Sequence, residues 1–152
     1  MKNIDKKYMK LALQEAQKAA QKEEIPIGAV IVKNDQVIGR GHNLKEKNTD
    51  PILHAEIIAI RQAADFMSSW RLEDCTIYVT LEPCSMCAGA LIQARIDKLV
   101  FGAFDPKGGA CGSLYNLVQD DRFNHQIEVK SGVLADESSK LLKEFFAQLR
   151  KK

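Results

Sequence analysis

Two short stretches of this chain carry side chains that bind metals and move protons: His54-Ala55-Glu56 and Pro83-Cys84-Ser85-Met86-Cys87. Together they supply one imidazole, two thiols in a C-x-x-C spacing and one carboxylate. Thiolate and imidazole are the donors a tetrahedral zinc prefers. Three protein donors leave a fourth position open, which is the arrangement of catalytic rather than structural sites. A water in that position has its pKa lowered from ~15.7 toward ~7. Glu56, two residues from His54, is placed to take a proton from that water and then to deliver protons as an acid. Negative thiolates nearby are expected to hold its pKa up. A hydroxide generated in this way can attack an electrophilic carbon; at an amidine-like carbon the outcome is loss of ammonia.

A structural zinc is the competing reading, with Cys84 and Cys87 closed by Cys75 or Cys111. Neither of those cysteines has a C-x-x-C partner, whereas His54 comes with its glutamate. Cys75 is therefore expected to be a buried apolar residue and Cys111 a loop residue. His42, at a strand end, and His125, in a loop before a strand, are expected to be hydrogen-bonding histidines rather than ligands. The whole pattern, H-x-E followed by P-C-x-x-C, resembles the signature of zinc-dependent nucleobase deaminases.

These side chains must be positioned by regular elements. Met9, Leu13, Ala16 and Ala20, with Tyr8, Ala12 and Ala19 alongside, predict a helix over 5–21. Pro26 marks its exit. Residues 27–32 and 36–41 predict a hairpin around Lys33-Asn34-Asp35, and the nearly continuous apolar run of the first strand predicts cover on both faces. A polar loop spans 43–53. A helix over 54–66 is expected to bury Ile57, Ile58, Ile60 and Ala64. Strand 76–81 leads through Pro83 into a helix over 84–95. Strand 98–103, a Gly-rich loop over 105–113, a short strand over 126–130 and a helix over 136–149 complete the chain.

His54 would thus lie in the first turn of one helix, and Cys84 and Cys87, three apart, on one face of another. Two helix N-termini aimed at one spot create a positive field that favours ionised sulfurs. The β-α-β-α-β middle predicts right-handed crossovers with parallel pairing. One three-layer α/β domain over 1–152 follows, with helices on both faces of a mixed five-stranded sheet.

At 152 residues, with 45% hydrophobic and 28% charged residues, the chain has the size and composition of one globular domain. A net charge of +2 does not by itself announce nucleic acid. The end is different: Ser138–Lys152 holds Lys140, Lys143, Arg150, Lys151 and Lys152 against Glu144 alone. No apolar run reaches the ~18 residues of a membrane span. Residues 1–10 show no apolar signal core, so a cytoplasmic protein with metal-binding rather than disulfide-bonded cysteines is expected.

The zinc motifs together with further stretches resemble the bacterial tRNA-specific adenosine deaminases, within the cytidine-deaminase-like superfamily. The likeness covers nearly the whole chain. Those stretches include Ile25-Pro26-Ile27-Gly28-Ala29-Val30, Tyr78-Val79-Thr80-Leu81-Glu82, Gly102-Ala103-Phe104-Asp105-Pro106-Lys107-Gly108-Gly109, Phe123-Asn124-His125 and Phe145-Phe146. The resemblance implies the cytidine-deaminase-like fold and a homodimer. It implies conversion of adenosine to inosine at wobble position 34 of a tRNA anticodon stem-loop. It assigns one zinc per subunit to His54, Cys84 and Cys87, and proton transfer to Glu56. It assigns base contact to Asn43, the walls of the base pocket to Ile25 and Leu81, and backbone contact to Asp105 and Lys107. The loop lacks the G-K-[ST] ending of a P-loop, and no nucleotide cofactor is expected.

Phe145 and Phe146 are adjacent and diverge by about a quarter turn, so one is expected to pack while the other borders an extruded nucleotide. The basic tail offers phosphate contacts. Cys111 and Phe104 fall where the family is expected to vary. Two rivals stay open: a zinc deaminase of free guanine, cytosine or a related ring, and a non-catalytic, zinc-stabilised RNA-binding module.

Overall fold

The run Ala29-Val30-Ile31-Val32 has no polar side chain to turn toward water, and the strand it forms is covered on both faces. In the computed structural model, which describes residues 2–151, β1 (Gly28–Lys33) lies between β2 (Gln36–His42) and β3 (Thr76–Leu81), antiparallel to both. β4 (Lys98–Ala103) pairs parallel with β3, and β5 (Glu128–Lys130) parallel with β4, giving the order β2-β1-β3-β4-β5. The expected mixed five-stranded sheet is present, with one difference. β2 and β3 run in the same direction without pairing, because β1 folds back between them. The turn that returns it places Asn34 and Asp35 at φ 50° and 60°, the left-handed pair of a tight hairpin. Parallel pairing begins only at β3–β4.

Helices α1 (Lys2–Gln21) and α4 (Ala135–Lys151) lie on one face, α2 (Ala55–Met67) and α3 (Ser85–Gln93) on the other. The strands divide their side chains between the two faces with period two. Ala29, Ile31, Ile77, Val79, Leu99 and Phe101 join the α2/α3 layer, while Val30, Val32, Tyr78 and Val100 join Tyr8, Met9 and Ala12 of α1. The predicted three-layer arrangement is what forms. A short 3-10 turn over Leu117–Gln119 has no counterpart in the predicted elements.

Helices sit unusually close to the sheet where glycines face them. A Cβ on Gly28 would fall on the backbone of Ala12 and Ala16, and one on Gly41 against the Ala55 carbonyl and Ile58. That closeness corrects the predicted stripe of α2. Ala55, Ala59 and Ala63 are the buried stripe, with Glu56 beside them, while Ile57, Ile58, Ile60 and Ala64 are half-buried. Gly39 meets the Ala59 carbonyl and Ala63, and Gly41 the Ala55 carbonyl and Ile58, so the backbone of α2 lies directly on β2 there. In α1, Leu13 and Ala20 are likewise half-buried, and the stripe runs through Asp5, Tyr8, Met9, Ala12, Glu15, Ala16 and Ala19.

Two acids in that stripe need partners, since an unpaired buried charge is costly. Glu15 accepts from Lys18 Nζ at 2.7 Å and faces His42 Nδ1 at 3.0 Å. Asp5 accepts from Lys130 Nζ at 2.6 Å and from the Tyr78 hydroxyl at 3.0 Å, tying α1 to β3 and β5. Burial pushes the Asp5 carboxyl up, but the Lys130 ammonium and the Tyr78 hydroxyl outweigh it and leave it below its ordinary 3.8. A carboxyl with a lowered folded pKa adds stability above its unfolded pKa, and that stability is lost as pH falls through the folded value. Asp5→Asn is therefore expected to cost about 1.5–3 kcal/mol at pH 7. At an acid pH below the lowered folded value, where the Asp5 carboxyl is protonated and neutral, the deficit should shrink. Urea unfolding of both proteins at the two pH values checks this, and an equal deficit at both would exclude a charge-based role.

Candidate active site

The carboxyl ends of β2, β3 and β4 share one edge of the sheet, and the helices that follow β2 and β3 begin there. His54 is the residue before α2 and Cys84 the residue before α3. Both are extended, at φ −82°, ψ 159° and φ −75°, ψ 177°, and neither side chain caps its own helix. Each lies one position earlier than a first-turn placement, which frees it to point across the gap between the two helices. Cys87 follows in the first turn of α3 and is fully buried, whereas His54 and Cys84 are half-buried. The triad is closed at its base and open on one side.

His54 Nδ1 stands 3.6 Å from Cys84 Sγ and 3.5 Å from Cys87 Sγ. Metal–sulfur bonds of ~2.3 Å and metal–nitrogen bonds of ~2.05 Å at a tetrahedral angle put the donor atoms about 3.6 Å apart. The spacing thus fits a small tetrahedral cation, and all three donors lie within 4.8 Å of one another. Among the described residues this is the one group of His, Cys, Asp or Glu that meets that spacing, and neither Cys75 nor Cys111 belongs to it. Both of these are buried. His42 faces Glu15, and His125 Nε2 lies 2.7 Å from the Ile96 carbonyl, so the two remaining histidines are held by other partners as expected.

The triad holds protons that a cation would displace. The Cys84 thiol is pulled down to about 4 by its hydrogen bond with Cys87, with His54 adding to the effect. The same contact, with burial, pushes the Cys87 thiol far up. The hydrogen bond to Cys84 also raises the His54 imidazole. Glu56, 4% exposed, is pushed up to about 7. Burial is the main cause; the Cys84 charge, the thiolate effect expected from sequence, adds to it.

A cavity of about 620 Å³ opens beside this edge, and Ile25, Asn43, Phe145 and Phe146 all line it. Asn43 is 4% exposed, and its Oδ1 is buried with no hydrogen-bond partner among the described residues. A buried acceptor without a donor is rare, and it leaves Asn43 Oδ1 able to accept from a bound group. Phe145 is half-buried and Phe146 exposed, stacked edge to face with centroids 5.4 Å apart. Neither packs away: both are wall, which corrects the division of labour expected for them.

Leu81, Asp105 and Lys107 do not line this cavity. Leu81 pairs in register with Ala103 at the same sheet edge. Asp105 Oδ1 accepts the Lys107 and Gly108 amides at 3.2 Å, and Lys107 itself is exposed. Of the basic residues at the C-terminus, Lys140, Lys143, Arg150 and Lys151 are exposed on or beside α4, while Lys152 is outside the described residues.

Sequence reading passed over Lys45, which lines the cavity, and Glu24. Glu24 is 1% exposed and accepts the amides of Glu46 and Lys47 at 3.1 and 2.5 Å, fixing the loop that carries Asn43. No local pattern announces such a contact across more than twenty residues.

The family model described as MafB19-like deaminase matches residues 3–150. A tRNA-specific adenosine deaminase of Bacillus subtilis (strain 168) is 56% identical over 148 residues, covering 97% of this chain and 92% of that protein. Among solved structures, one from a study of A-to-I editing by tRNA:A34 deaminases at the wobble position superposes with a TM-score of 0.86. It is 44% identical and covers 89% of this chain and 98% of its own. A guanine deaminase from Nitrosomonas europaea shares the fold at a TM-score of 0.82 and 24% identity, covering 93% of this chain and 84% of its own.

Chelator-treated protein is expected to take up one equivalent of cobalt(II) with the absorption of tetrahedral thiolate coordination. Cys87→Ala should lose this uptake and Cys111→Ala should keep it. Full uptake by the Cys87 variant would mean a different donor set.

Proposed function

The chain belongs to the tRNA-specific adenosine deaminases, and from that footing we propose that it hydrolyses adenosine to inosine at wobble position 34 of a tRNA anticodon, releasing ammonia. The observation that carries the chemistry is a His-Cys-Cys triad at tetrahedral spacing with a buried glutamate beside it. His54, Cys84 and Cys87 hold one zinc per subunit, thiolate and imidazole being its preferred donors. When bound, zinc supplies a Lewis acid that brings the pKa of water toward ~7.

Glu56 does the proton work. It takes a proton from the attacking water as the C6–O bond forms and passes it to ring nitrogen N1. It then takes the second proton from the new C6 hydroxyl and gives it to the amine, which leaves as ammonia as the C6–N6 bond breaks and the C6 carbonyl forms. A carboxyl held near 7 is suited to both roles at neutral pH, where neither protonation state is costly. Asn43 offers its unpartnered Oδ1 to an N–H of the substrate. Ile25 and Leu81 flank the base, and Phe145, Phe146 and Lys45 receive neighbouring nucleotides.

Asp105 and Lys107 meet the RNA backbone, and the exposed Lys140, Lys143, Arg150 and Lys151 its phosphates. A recessed site of this kind suits an anticodon loop, whose bases are unpaired and can be turned outward. No helix among the described residues is long and apolar enough to cross a membrane. The working unit is a homodimer, as the family resemblance implies, acting in the cytoplasm without a nucleotide cofactor.

The test is incubation with an anticodon stem-loop and, separately, with free guanine and cytosine, followed by mass spectrometry of the products. Inosine in the RNA is expected. Conversion of a free base but not of RNA would overturn the assignment. Glu56→Gln is expected to keep the metal and RNA affinity while ammonia release falls by about 10²–10⁴-fold. Undiminished turnover in that variant would remove Glu56 from the mechanism.

A further inference from the structure

Glu82 stands two residues before Cys84 and is 2% exposed, yet it touches neither the triad nor the cavity described above. Its carboxylate faces the loop that follows β4. Oε1 accepts the Asp105 amide at 2.9 Å and the Ser113 hydroxyl, and Oε2 accepts the Cys111 and Ser113 amides at 3.0 and 2.9 Å. One ionised group thereby satisfies donors from both ends of the loop at once. The backbone doubles the attachment. Glu82 N–H donates to the Ala103 carbonyl at 2.9 Å, and Ala110 N–H donates to the Pro83 carbonyl at 2.9 Å. Gly109 completes the cradle, since a Cβ there would fall inside the contact radius of the carboxylate carbon and both its oxygens.

We propose that Glu82 is a positioning residue that clamps the 105–113 loop to the segment leading into α3, so that Asp105 and Lys107 are presented to the RNA substrate. This rests on the tRNA reading given above. Glu82 acts through the loop and does not touch the reacting base, so its effect falls on substrate capture rather than on the chemical step. The loop has no regular strand or helix to hold it. Its own contacts are short turns, such as Gly109 N–H to the Asp105 carbonyl at 2.8 Å. Without the carboxylate the Asp105, Cys111 and Ser113 amides lose their shared acceptor, and the loop is left with these turns and the Ala110–Pro83 bond.

The geometry predicts an uneven response to Glu82→Gln. An amide has one acceptor oxygen and one donor nitrogen. Placed where Oε2 now lies, the oxygen keeps the Cys111 and Ser113 amides. The NH2 then meets the Ser113 hydroxyl, which can turn to accept, and the Asp105 N–H, which cannot. The Asp105 end of the loop is therefore the end that should loosen.

The experiment measures kcat and KM on an anticodon stem-loop, metal content, and amide hydrogen exchange for the wild type, Glu82→Gln, Glu82→Ala, Gly109→Ala and the Glu82→Ala/Gly109→Ala double variant. Glu82→Gln is expected to raise KM about tenfold, the loss of one hydrogen bond to a charged group, with kcat within about twofold and full metal content. Exchange should quicken at Asp105 and stay slow at Cys111. Gly109→Ala should raise KM in the wild-type background by displacing the carboxylate, and should add little once Glu82 is alanine. A purely structural role would give equal costs of Gly109→Ala in both backgrounds. That result, or an unchanged KM with a loosened Asp105 amide, overturns the proposal while the tRNA reading stands. Wild-type protein that forms no inosine in RNA would overturn both.

Discussion

Two sulfurs standing 3.5 and 3.6 Å from one imidazole nitrogen cannot all carry their preferred protons and lone pairs without conflict. Some cation must mediate between them, a shared proton in the bare protein or a metal in the loaded one. The fold's task is to keep that crowded spot from relaxing. It does so by hanging two of the three donors on the residues immediately before α2 and α3, and by pressing those helices onto the sheet. α2 cannot withdraw without losing the contact of its alanines with Gly39 and Gly41. The donors are thus fixed by the packing of whole elements and not by their own hydrogen bonds.

The same edge collects everything else the reaction needs, because β2, β3 and β4 all run toward it. Ligand sites outside the carboxyl ends of strands are the general habit of α/β sheets. What is particular here is the use of buried acids to discipline the loops beyond those ends. Glu24 holds the loop after β2, and Glu82 holds the loop after β4. Each offers a negative group to backbone N–H donors that would otherwise lie unpaired at a crowded edge. Asn43 is the contrasting case, a buried acceptor left with nothing to accept.

Much of this was legible in the sequence. Donor types and their spacing named the triad and Glu56, and apolar periodicity placed four helices and five strands within a few residues of their positions. What escaped has physical reasons. The buried stripe of α2 is made of alanines where the helix backbone closes directly on the glycines of β2, and hydropathy alone points to the isoleucines instead. Asp5 and Glu15 lie in the buried stripe of α1, where a charge is tolerated only through partners, distant Lys130 for the first and both neighbouring Lys18 and distant His42 for the second. The place of β1 between β2 and β3 depended on a hairpin whose direction of return no local pattern states. The two loop-holding acids bond to main-chain amides, which every residue has and none advertises.

The C-terminal helix sits apart from this economy. Ser138 is its one buried residue, donating its hydroxyl to the Thr80 carbonyl, and the remainder of α4 is half-covered or exposed. A partition fastened at a single stud can be remodelled while the room behind it is left alone. Descendants of such a scaffold can exchange their clientele by rewriting one amphipathic segment, and inherit the reaction centre untouched.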